Sequence, residues 1–397
     1  LDGVRGCQEG AGRSVDGTQG SRTGQEVMPP GSDNPQLLKQ LGVAPFQQRL
    51  PWIGGDLQTL RDTLRPVKLP VDRGEPVRIS VPALASGAAE AGELLAYLDR
   101  PLVSGDAAAA PAPKGLVVVL HGLGGSSRRE GLRRLSISLQ GAGFAVLRLN
   151  LRGADPGRHL AGGTYAAACN SDLLPVLQRA RQMAAALASE AGLPQPLPLL
   201  GAGISLGGTM LLNACLDQGG VLDALFCASS PLDLAACSAS IERPRNRIYQ
   251  RWLLQRLVRQ TLADPFGVTA LEEQQLRDHP PRSIRAFDSA VTAPRWCFAS
   301  VEDYYDGASP FPRMTTSWPD LPPTLLLQAL DDPWVPAASA VQLQSLLTEH
   351  PSSGSDQNLK IVLTASGGHN GFHGPGDNLD QGCWSDRLAC AWFNKNP

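Results

Sequence analysis

LPLLGAGISLGGTMLLN, at residues 197–213, places a serine between an apolar run and a segment that favours a helix. Gly203 and Gly207 stand two positions before and after Ser205. A tight turn from a buried strand into a helix needs glycine at both positions, because side chains there would clash. The stretch therefore predicts a turn that presents the Ser205 hydroxyl as a nucleophile. A glycine-rich turn with an incidental serine is the alternative, and the order of strand, turn and helix argues against it.

Short apolar runs alternate with helical patterns from residue 77 onward, which is typical of a sheet covered by helices. The last six runs are almost continuously apolar, as expected for strands of a parallel sheet buried on both faces. Asp172 is predicted to cap the helix that precedes the Ser205 strand. The predicted class is therefore α/β, a mostly parallel central sheet flanked by helices, with strands at 77–81, 94–98, 116–120, 144–150, 197–202, 224–229, 324–330 and 360–365.

Two segments do not follow this alternation. Residues 1–35 are rich in Gly, Ser and Gln and have almost no large apolar residue, so we expect a disordered extension before a domain over 45–397. Residues 231–323 carry helical patterns without a buried strand, which predicts a helical cap inserted over the sheet. Within it, the apolar side chains of 246–262 spread around the helix, which favours a cap helix beside a ligand tunnel over a membrane-surface helix.

The composition excludes some functions and compartments. A formal net charge of −2 provides no positive field, so nucleic acid is not an expected partner. The eight cysteines contain no Cys-x-x-Cys pair, which predicts buried free thiols in a reducing compartment. No apolar run reaches the roughly 18 residues of a membrane span and no signal peptide is evident, so we expect a cytoplasmic protein that makes at most transient contact with a membrane surface. The oligomeric state stays open.

A second glycine-rich loop, HGLGG at 121–125, follows the predicted strand 116–120. Acyl transfer needs two backbone N–H groups aimed at the oxygen that gains negative charge. This loop and the residue after the nucleophile are the positions that supply them, which predicts the N–H groups of Leu123 and Leu206. A phosphate-binding loop is the alternative, but the spacing differs from that of a P-loop and no lysine follows.

Candidates for a base and an acid follow the last two predicted strands. A serine hydroxyl needs a base to remove its proton, and the base needs a partner that fixes its tautomer. His369 comes directly after strand 360–365, and His373 is its close competitor. Asp331 and Asp332 follow strand 324–330, and the spacing to a preceding small residue and a following proline favours Asp332. Paired aspartates in a surface turn are the alternative interpretation.

The chain order Ser205, Asp332, His369 is that of the α/β hydrolases. The sequence also contains DLQT at 56–59, HGLGGS at 121–126, LRG at 151–153, IRAFD at 284–288, TAP at 292–294, YY at 304–305, DDP at 331–333 and GGHNGF at 367–372. With these segments and the Ser205 turn, the chain from about residue 51 to its end resembles the YheT-like α/β-hydrolase family, relatives of the animal α/β-hydrolase-domain lipases and esterases. It departs from that family at Gly54-Gly55-Asp56, where Asn-Pro-His often precedes Leu-Gln-Thr.

The resemblance implies a carboxylic ester hydrolase that works through an acyl-enzyme intermediate on Ser205, with His369 as base and Asp332 as its partner. Acylglycerol-type lipids are among the substrates that the resemblance implies, and no metal or organic cofactor is implied. The apolar character of residues 243–262 separately suggests an acyl-binding cap and a short or medium acyl chain. Two alternatives stay open. The same triad can transfer the acyl group to an alcohol other than water, and the fold can also serve as a non-catalytic ligand-binding module.

Overall fold

One sheet of eight strands organises the computed structural model, which describes residues 34–102, 111–349, 358–379 and 382–397. The strands are β1 Glu75–Val81, β2 Gly92–Asp99, β3 Leu116–Leu120, β4 Ala145–Leu149, β5 Leu199–Ile204, β6 Ala224–Ala228, β7 Thr324–Ala329 and β8 Leu359–Thr364. Their order across the sheet is β1-β2-β4-β3-β5-β6-β7-β8. The pairs β1–β2 and β2–β4 are antiparallel, and every later pair is parallel.

Fourteen α-helices accompany the sheet in the described residues. They are α1 Pro35–Leu41, α2 Gly55–Leu64, α3 Glu130–Gly141, α4 Asn170–Glu190, α5 Leu206–Asp217, α6 Leu234–Ile241, α7 Arg247–Leu262, α8 Ala270–Arg277, α9 Ile284–Phe287, α10 Ala293–Arg295, α11 Val301–Ala308, α12 Phe311–Ser317, α13 Ala338–Glu349 and α14 Trp384–Lys395. A π-helical turn spans Asp288–Thr292. Short 3₁₀ turns lie at Pro244–Asn246 and Trp318–Asp320.

The predicted mostly parallel sheet with flanking helices is confirmed, and each predicted strand has its counterpart. Every residue of β3, β4, β6 and β7 is buried, which explains why these runs are almost continuously apolar rather than alternating. The polar exceptions, Arg148, Thr324 and Gln328, are also buried. Two apolar layers cover the sheet. One contains Leu173 and Leu177 of α4, and the other contains Leu135 of α3 and Phe393 of α14.

Helix α1 belongs to the second of these layers, because Leu37 and Leu38 are buried in it. It lies between the expected extension and the expected start of the domain at 45, and the sequence pattern did not reveal it. Residues 1–33 of the expected extension lie outside the described residues.

The segment between β6 and β7 contains helices α6 to α12 and, in its described residues, no strand. Its boundaries at 231–323 remain a prediction. Helix α7 agrees closely with the helix expected over 246–262. Leu253 and Leu257 of this helix pack with Ile241, Leu276 and Phe287 in a separate apolar cluster, so the segment has a small core of its own.

Asp172 does not cap helix α4, contrary to the sequence interpretation. The cap position is Cys169, and Asp172 lies in the first turn with its side chain buried. Its carboxylate accepts hydrogen bonds from Nε and Nη2 of the buried Arg152 at 2.8 and 2.7 Å. A buried carboxylate needs such a partner, which decides the position of Asp172 more strongly than capping does.

All cysteines of the described residues are free, as predicted. Their expected burial holds for Cys169, Cys215, Cys227 and Cys383. Cys297 is exposed, and the prediction is wrong for that residue. Cys237 and Cys390 are half-buried, and Cys7 lies outside the described residues.

Candidate active site

Ser205 lies at the turn between β5 and α5, with a φ of 55°. Few residues other than glycine adopt this left-handed region, and such strain is common at functional sites. A Cβ at Gly203 would overlap the Gly208 backbone, and one at Gly207 would lie 2.5 Å from the carbonyl oxygen of Leu120. The two glycines therefore let the helix approach the strand closely enough to hold the serine in this conformation.

His369, Asp332 and Ser205 come from three separate loops and lie together at the carboxyl end of the parallel strands. His369 Nε2 is 3.0 Å from Ser205 Oγ, and its Nδ1 is 2.9 Å from Asp332 Oδ2. Asp332 Oδ1 accepts hydrogen bonds from the N–H groups of Trp334 and Val335 at 2.8 and 2.9 Å. Because Nδ1 faces a carboxylate, it is the nitrogen that carries the proton, and Nε2 can accept one from the serine hydroxyl.

The His369–Asp332 contact is shielded from water. The side chain of Asp332 has no exposed area and that of His369 has 5%. The Trp334 ring stacks on the imidazole, with 4.4 Å between the ring centroids. Electrostatic attraction between a carboxylate and a protonated imidazole is stronger in such a poorly hydrated place than at the surface.

The two competing residues from the sequence have other partners. Asp331 Oδ1 accepts a hydrogen bond from the N–H of Gly368 at 2.8 Å. This carboxylate therefore fixes the backbone of the loop that carries His369 and does not bond to the imidazole ring. Burial raises the pKa of Asp331. His373 instead contacts Asp62 through Nε2 at 3.1 Å and Asp377 through Nδ1 at 3.4 Å.

Helix α2 holds the His369 loop from the outside, a role that the sequence did not reveal. Thr59 Oγ1 accepts a hydrogen bond from the N–H of His369 at 2.8 Å and donates one to the Gly55 carbonyl at 2.6 Å. The buried Gln58 amide donates to the His373 carbonyl at 2.9 Å and accepts from its N–H at 2.7 Å. Both residues belong to the DLQT segment at 56–59, for which only the family resemblance gave a signal.

Gln58→Leu is expected to lower kcat for p-nitrophenyl butyrate by roughly 10- to 100-fold. The variant leaves the buried N–H and carbonyl of His373 without hydrogen-bond partners. Each unsatisfied group costs about 1–3 kcal/mol, so the loop rarely adopts the conformation that places His369 beside Ser205. Steady-state kinetics measure the effect. Leu57→Ala on the exposed side of the same helix is the control and should stay near the wild-type rate. An unchanged kcat in Gln58→Leu would contradict the positioning role.

The HGLGG loop passes directly over the serine. A Cβ at Gly122 would lie 2.8 Å from the Cβ of Ser205. Leu123 and Leu206 line the same cavity as the serine, and Leu206 is the first residue of α5. The N–H groups at a helix start carry partial positive charge, so this end of α5 suits an oxygen that becomes negative.

His121 holds the HGLGG loop in place and does not act as a base in this arrangement. Its ring is buried, and burial lowers its pKa to about 4, which keeps it neutral near pH 7. Its Nε2 accepts a hydrogen bond from the N–H of Leu151 at 3.3 Å, so Nδ1 carries the proton and donates to the Gly122 carbonyl at 2.9 Å. The hydroxyl of Tyr165 accepts from the N–H of Gly124 at 2.6 Å. The loop is therefore fixed before any substrate arrives.

A cavity of about 330 Å³ opens onto Ser205. This size is at the lower end for small-molecule sites. Helix α7 contributes Trp252 and Leu253 to its wall, and Arg256 of the same helix donates to the Gly124 carbonyl at 2.6 Å. Further apolar side chains in the wall are Leu132, Leu135, Ile204, Phe226, Leu234, Ile241 and Ile284.

Asp288 is a carboxylate in the cavity wall, apart from the triad. It accepts hydrogen bonds from the hydroxyls of Thr292 at 2.7 Å and Tyr305 at 2.9 Å. Burial raises its pKa to about 6. Because folding favours the neutral acid, its contribution to stability is full at low pH and is lost as the pH rises through about 6.

Asp288→Asn is expected to gain stability relative to the wild type as the pH rises from 4.5 to 7.5. Asparagine can accept from one of the two hydroxyls through Oδ1 and donate to the other through its NH2 group, and it carries no charge to desolvate. The relative gain should be about 1–2 kcal/mol, reduced from the full linkage value because the carboxylate faces the open cavity. Urea unfolding at the two pH values measures it, with Asp306→Asn on the exposed side of α11 as control. Parallel pH curves for wild type and Asp288→Asn would refute the expectation.

The described ranges contain no cluster of three or more His, Cys, Asp or Glu side chains arranged to hold a metal ion. None of the helices in these ranges combines the length and the apolar character that crossing a bilayer requires.

Comparison with known proteins agrees with the fold. A model of the alpha/beta hydrolase family matches residues 117–379, which is more than half of the chain. The chain belongs to the alpha/beta hydrolase family. The match runs from β3 to the loop after His369 and so includes all three residues of the candidate triad.

Curated relatives of this α/β hydrolase confirm the YheT-like resemblance. Human Phospholipase ABHD3 is 26% identical over 258 residues, which are 64% of this chain and 58% of that protein. Putative esterase YheT of Escherichia coli is 33% identical over 202 residues, 49% of this chain and 55% of its own. Medium-chain fatty acid ethyl ester synthase/esterase 2 of Saccharomyces cerevisiae is 27% identical over 308 residues, 70% of this chain and 62% of its own. The chain thus spans between 55% and 62% of these relatives' lengths.

Proposed function

We propose that this α/β hydrolase cleaves carboxylic esters by nucleophilic catalysis at Ser205. The observation that carries the proposal is the unbroken hydrogen-bonded series from Asp332 through His369 to Ser205, with contacts of 2.9 and 3.0 Å. A serine in this arrangement is activated for attack on an acyl carbon. Relatives named as phospholipase and esterase support ester substrates.

The reaction begins when Ser205 Oγ attacks the ester carbonyl and His369 Nε2 takes the hydroxyl proton. Asp332 stabilises the imidazolium that forms. The carbonyl oxygen becomes negative and accepts hydrogen bonds from the N–H groups of Leu123 and Leu206. His369 then gives its proton to the departing alcohol, which leaves an acyl group on the serine.

Water completes the cycle by the same route. His369 removes a proton from water as it attacks the acyl carbon, and the returning proton restores the Ser205 hydroxyl. The acid is released, and Ser205 and His369 return to their starting protonation states.

Short or medium acyl chains are the proposed substrates. The cavity beside Ser205 has about 330 Å³, and much of its wall is aliphatic or aromatic. Apolar walls favour an acyl chain through the hydrophobic effect, and the small volume limits its length.

Transfer of the acyl group to an alcohol is the second candidate function. The observation that favours it is the yeast relative, whose name joins ethyl ester synthase with esterase. The same acyl-enzyme serves both reactions, and the outcome depends on whether water or an alcohol reaches the acyl carbon first.

Hydrolysis of p-nitrophenyl esters from acetate to laurate tests the proposed function. We expect a maximum at short or medium chains and covalent labelling of the protein by a fluorophosphonate probe. With ethanol added, mass spectrometry separates the free acid from the ethyl ester, and a dominant ethyl ester would favour acyl transfer. A protein that neither turns over nor labels would instead be a ligand-binding module.

A further inference from the structure

Helix α7 has an exposed face that the described part of the chain does not cover. Its sequence, RIYQRWLLQRLVRQTL, contains four arginines and no acidic residue. Leu253, Leu254 and Leu257 are buried on its inner side. On its outer side Ile248 is 82% exposed and Trp252 is 44% exposed. Ile248 and Trp252 are one helical turn apart, so together they form a small apolar patch beside the arginines of this helix, which makes this face a candidate contact surface.

Three arginines on this face have no carboxylate partner among the described residues, whereas some other surface arginines do. Arg247, Arg251 and Arg259 are exposed, and none of them forms an ion pair within the ranges that the structure describes. By contrast, Arg245 just before the helix pairs with Asp56 at 2.9 Å, and Arg277 pairs with a neighbouring glutamate. The face therefore carries three positive charges that no described carboxylate balances.

A groove beside this face combines the positive charge with apolar surface. It lies between α7 and residues 280–282, and its apolar walls include Ile248, Leu254, Val258 and Leu262. Arginines also line it, including Arg282 from the facing segment, and none of its lining residues is acidic. An amphiphile with an anionic headgroup has the matching chemistry, because its phosphate can contact guanidinium groups while its chain contacts the aliphatic wall.

The same helix reaches the candidate active site. Trp252 lines the cavity that opens onto Ser205, and Arg256 stacks on the Trp252 ring at 4.9 Å. A surface that contacts the outer side of α7 would therefore lie next to the wall of that cavity. This explains why the apolar residues of α7 are spread around the helix: Leu253, Leu254 and Leu257 are buried, whereas Ile248 and Trp252 are exposed.

We propose that the exposed face of α7 docks on an anionic lipid surface. Ile248 and Trp252 enter the interfacial region of the bilayer, and Arg247, Arg251 and Arg259 contact lipid phosphates. One step of this docking rests on the proposed function: the docked protein takes its ester substrate from the lipid layer. Three arginines near an anionic surface should strengthen binding by about 100-fold.

Vesicle sedimentation with the full chain tests this docking. The wild type is expected to bind vesicles of phosphatidylcholine with added phosphatidylserine, to bind poorly to phosphatidylcholine alone, and to dissociate as salt rises. The triple variant Arg247→Gln/Arg251→Gln/Arg259→Gln should bind about 100-fold more weakly. Lys68→Gln/Arg73→Gln/Arg179→Gln removes the same charge from exposed positions elsewhere and should stay within about threefold of wild type.

Several outcomes would overturn the proposal. They are no binding of the wild type to the anionic vesicles, or an equal loss of binding in the two triple variants. If Ile248→Ser has no effect and heparin binds as tightly as the vesicles, the face recognises a soluble polyanion or acidic protein instead of lipid. Vesicle binding by a wild type that hydrolyses no ester would remove the proposed function and leave the docking intact. Ser205→Ala should bind the vesicles as tightly as the wild type.

Discussion

Ser205→Ala is expected to lower kcat/KM for p-nitrophenyl esters by at least about 10⁴-fold and to abolish fluorophosphonate labelling. The variant removes the only atom of the triad that forms the acyl bond, so the remaining backbone N–H groups and cavity can only bind the substrate. Steady-state kinetics and gel-based labelling measure the two effects. Circular dichroism and the Tm show that the fold is kept.

Ser238→Ala is the matched control for this prediction. Ser238 also lines the cavity, but its hydroxyl bonds to Tyr305 and not to His369. Its removal should change kcat/KM by less than about tenfold, the effect of one lost neutral hydrogen bond. Full labelling in Ser205→Ala would show that another residue is the nucleophile. An equal loss in both variants would show that the loss is not specific to Ser205.

Asp332→Asn should lower kcat by roughly 10⁴-fold while Asp331→Asn lowers it by less than about tenfold. An asparagine amide at 332 can donate to His369 Nδ1, which places the ring proton on Nε2. That nitrogen then cannot accept the proton of the serine hydroxyl. At 331 an asparagine oxygen can still accept from the Gly368 N–H, so the loop keeps its hydrogen bond.

Comparison of these two neighbouring variants separates the carboxylate that orients the ring from the one that holds the loop. The kinetics should be measured with one ester at a pH where the wild type is fully active. If Asp331→Asn had a lower kcat than Asp332→Asn, the orienting role would belong to Asp331. The loop would then have to rearrange in solution.

Local pattern was sufficient to predict the sheet and to choose the candidate triad. Strands β3 to β8 are buried on both faces, so their burial appears directly as apolar runs. Each triad residue lies in a loop after one of these runs, and parallel strands bring such loops to one edge of the sheet. The geometry at the edge agrees with Asp332 over Asp331, because only Asp332 contacts the imidazole.

Contacts between distant segments were not visible in the sequence. Gln58 and Thr59 look like ordinary polar helix residues, and their importance comes from a loop that follows the last strand. Asp172 looked like a helix cap because aspartate is common there, whereas its buried position demands Arg152. Helix α7 gave an unclear periodicity because it has apolar side chains on an inner and an outer side.

The hydrogen bond between Thr59 and His369 joins residues that are 310 positions apart. Synthesis runs from the N-terminus, so α2 emerges long before the histidine loop exists. A growing chain could assemble much of its sheet and still have no histidine to activate its serine. Ester hydrolysis would therefore indicate that the loop carrying His369 has packed against helix α2. A screen for activity would select variants that finish folding, including those whose changes lie far from any reacting atom.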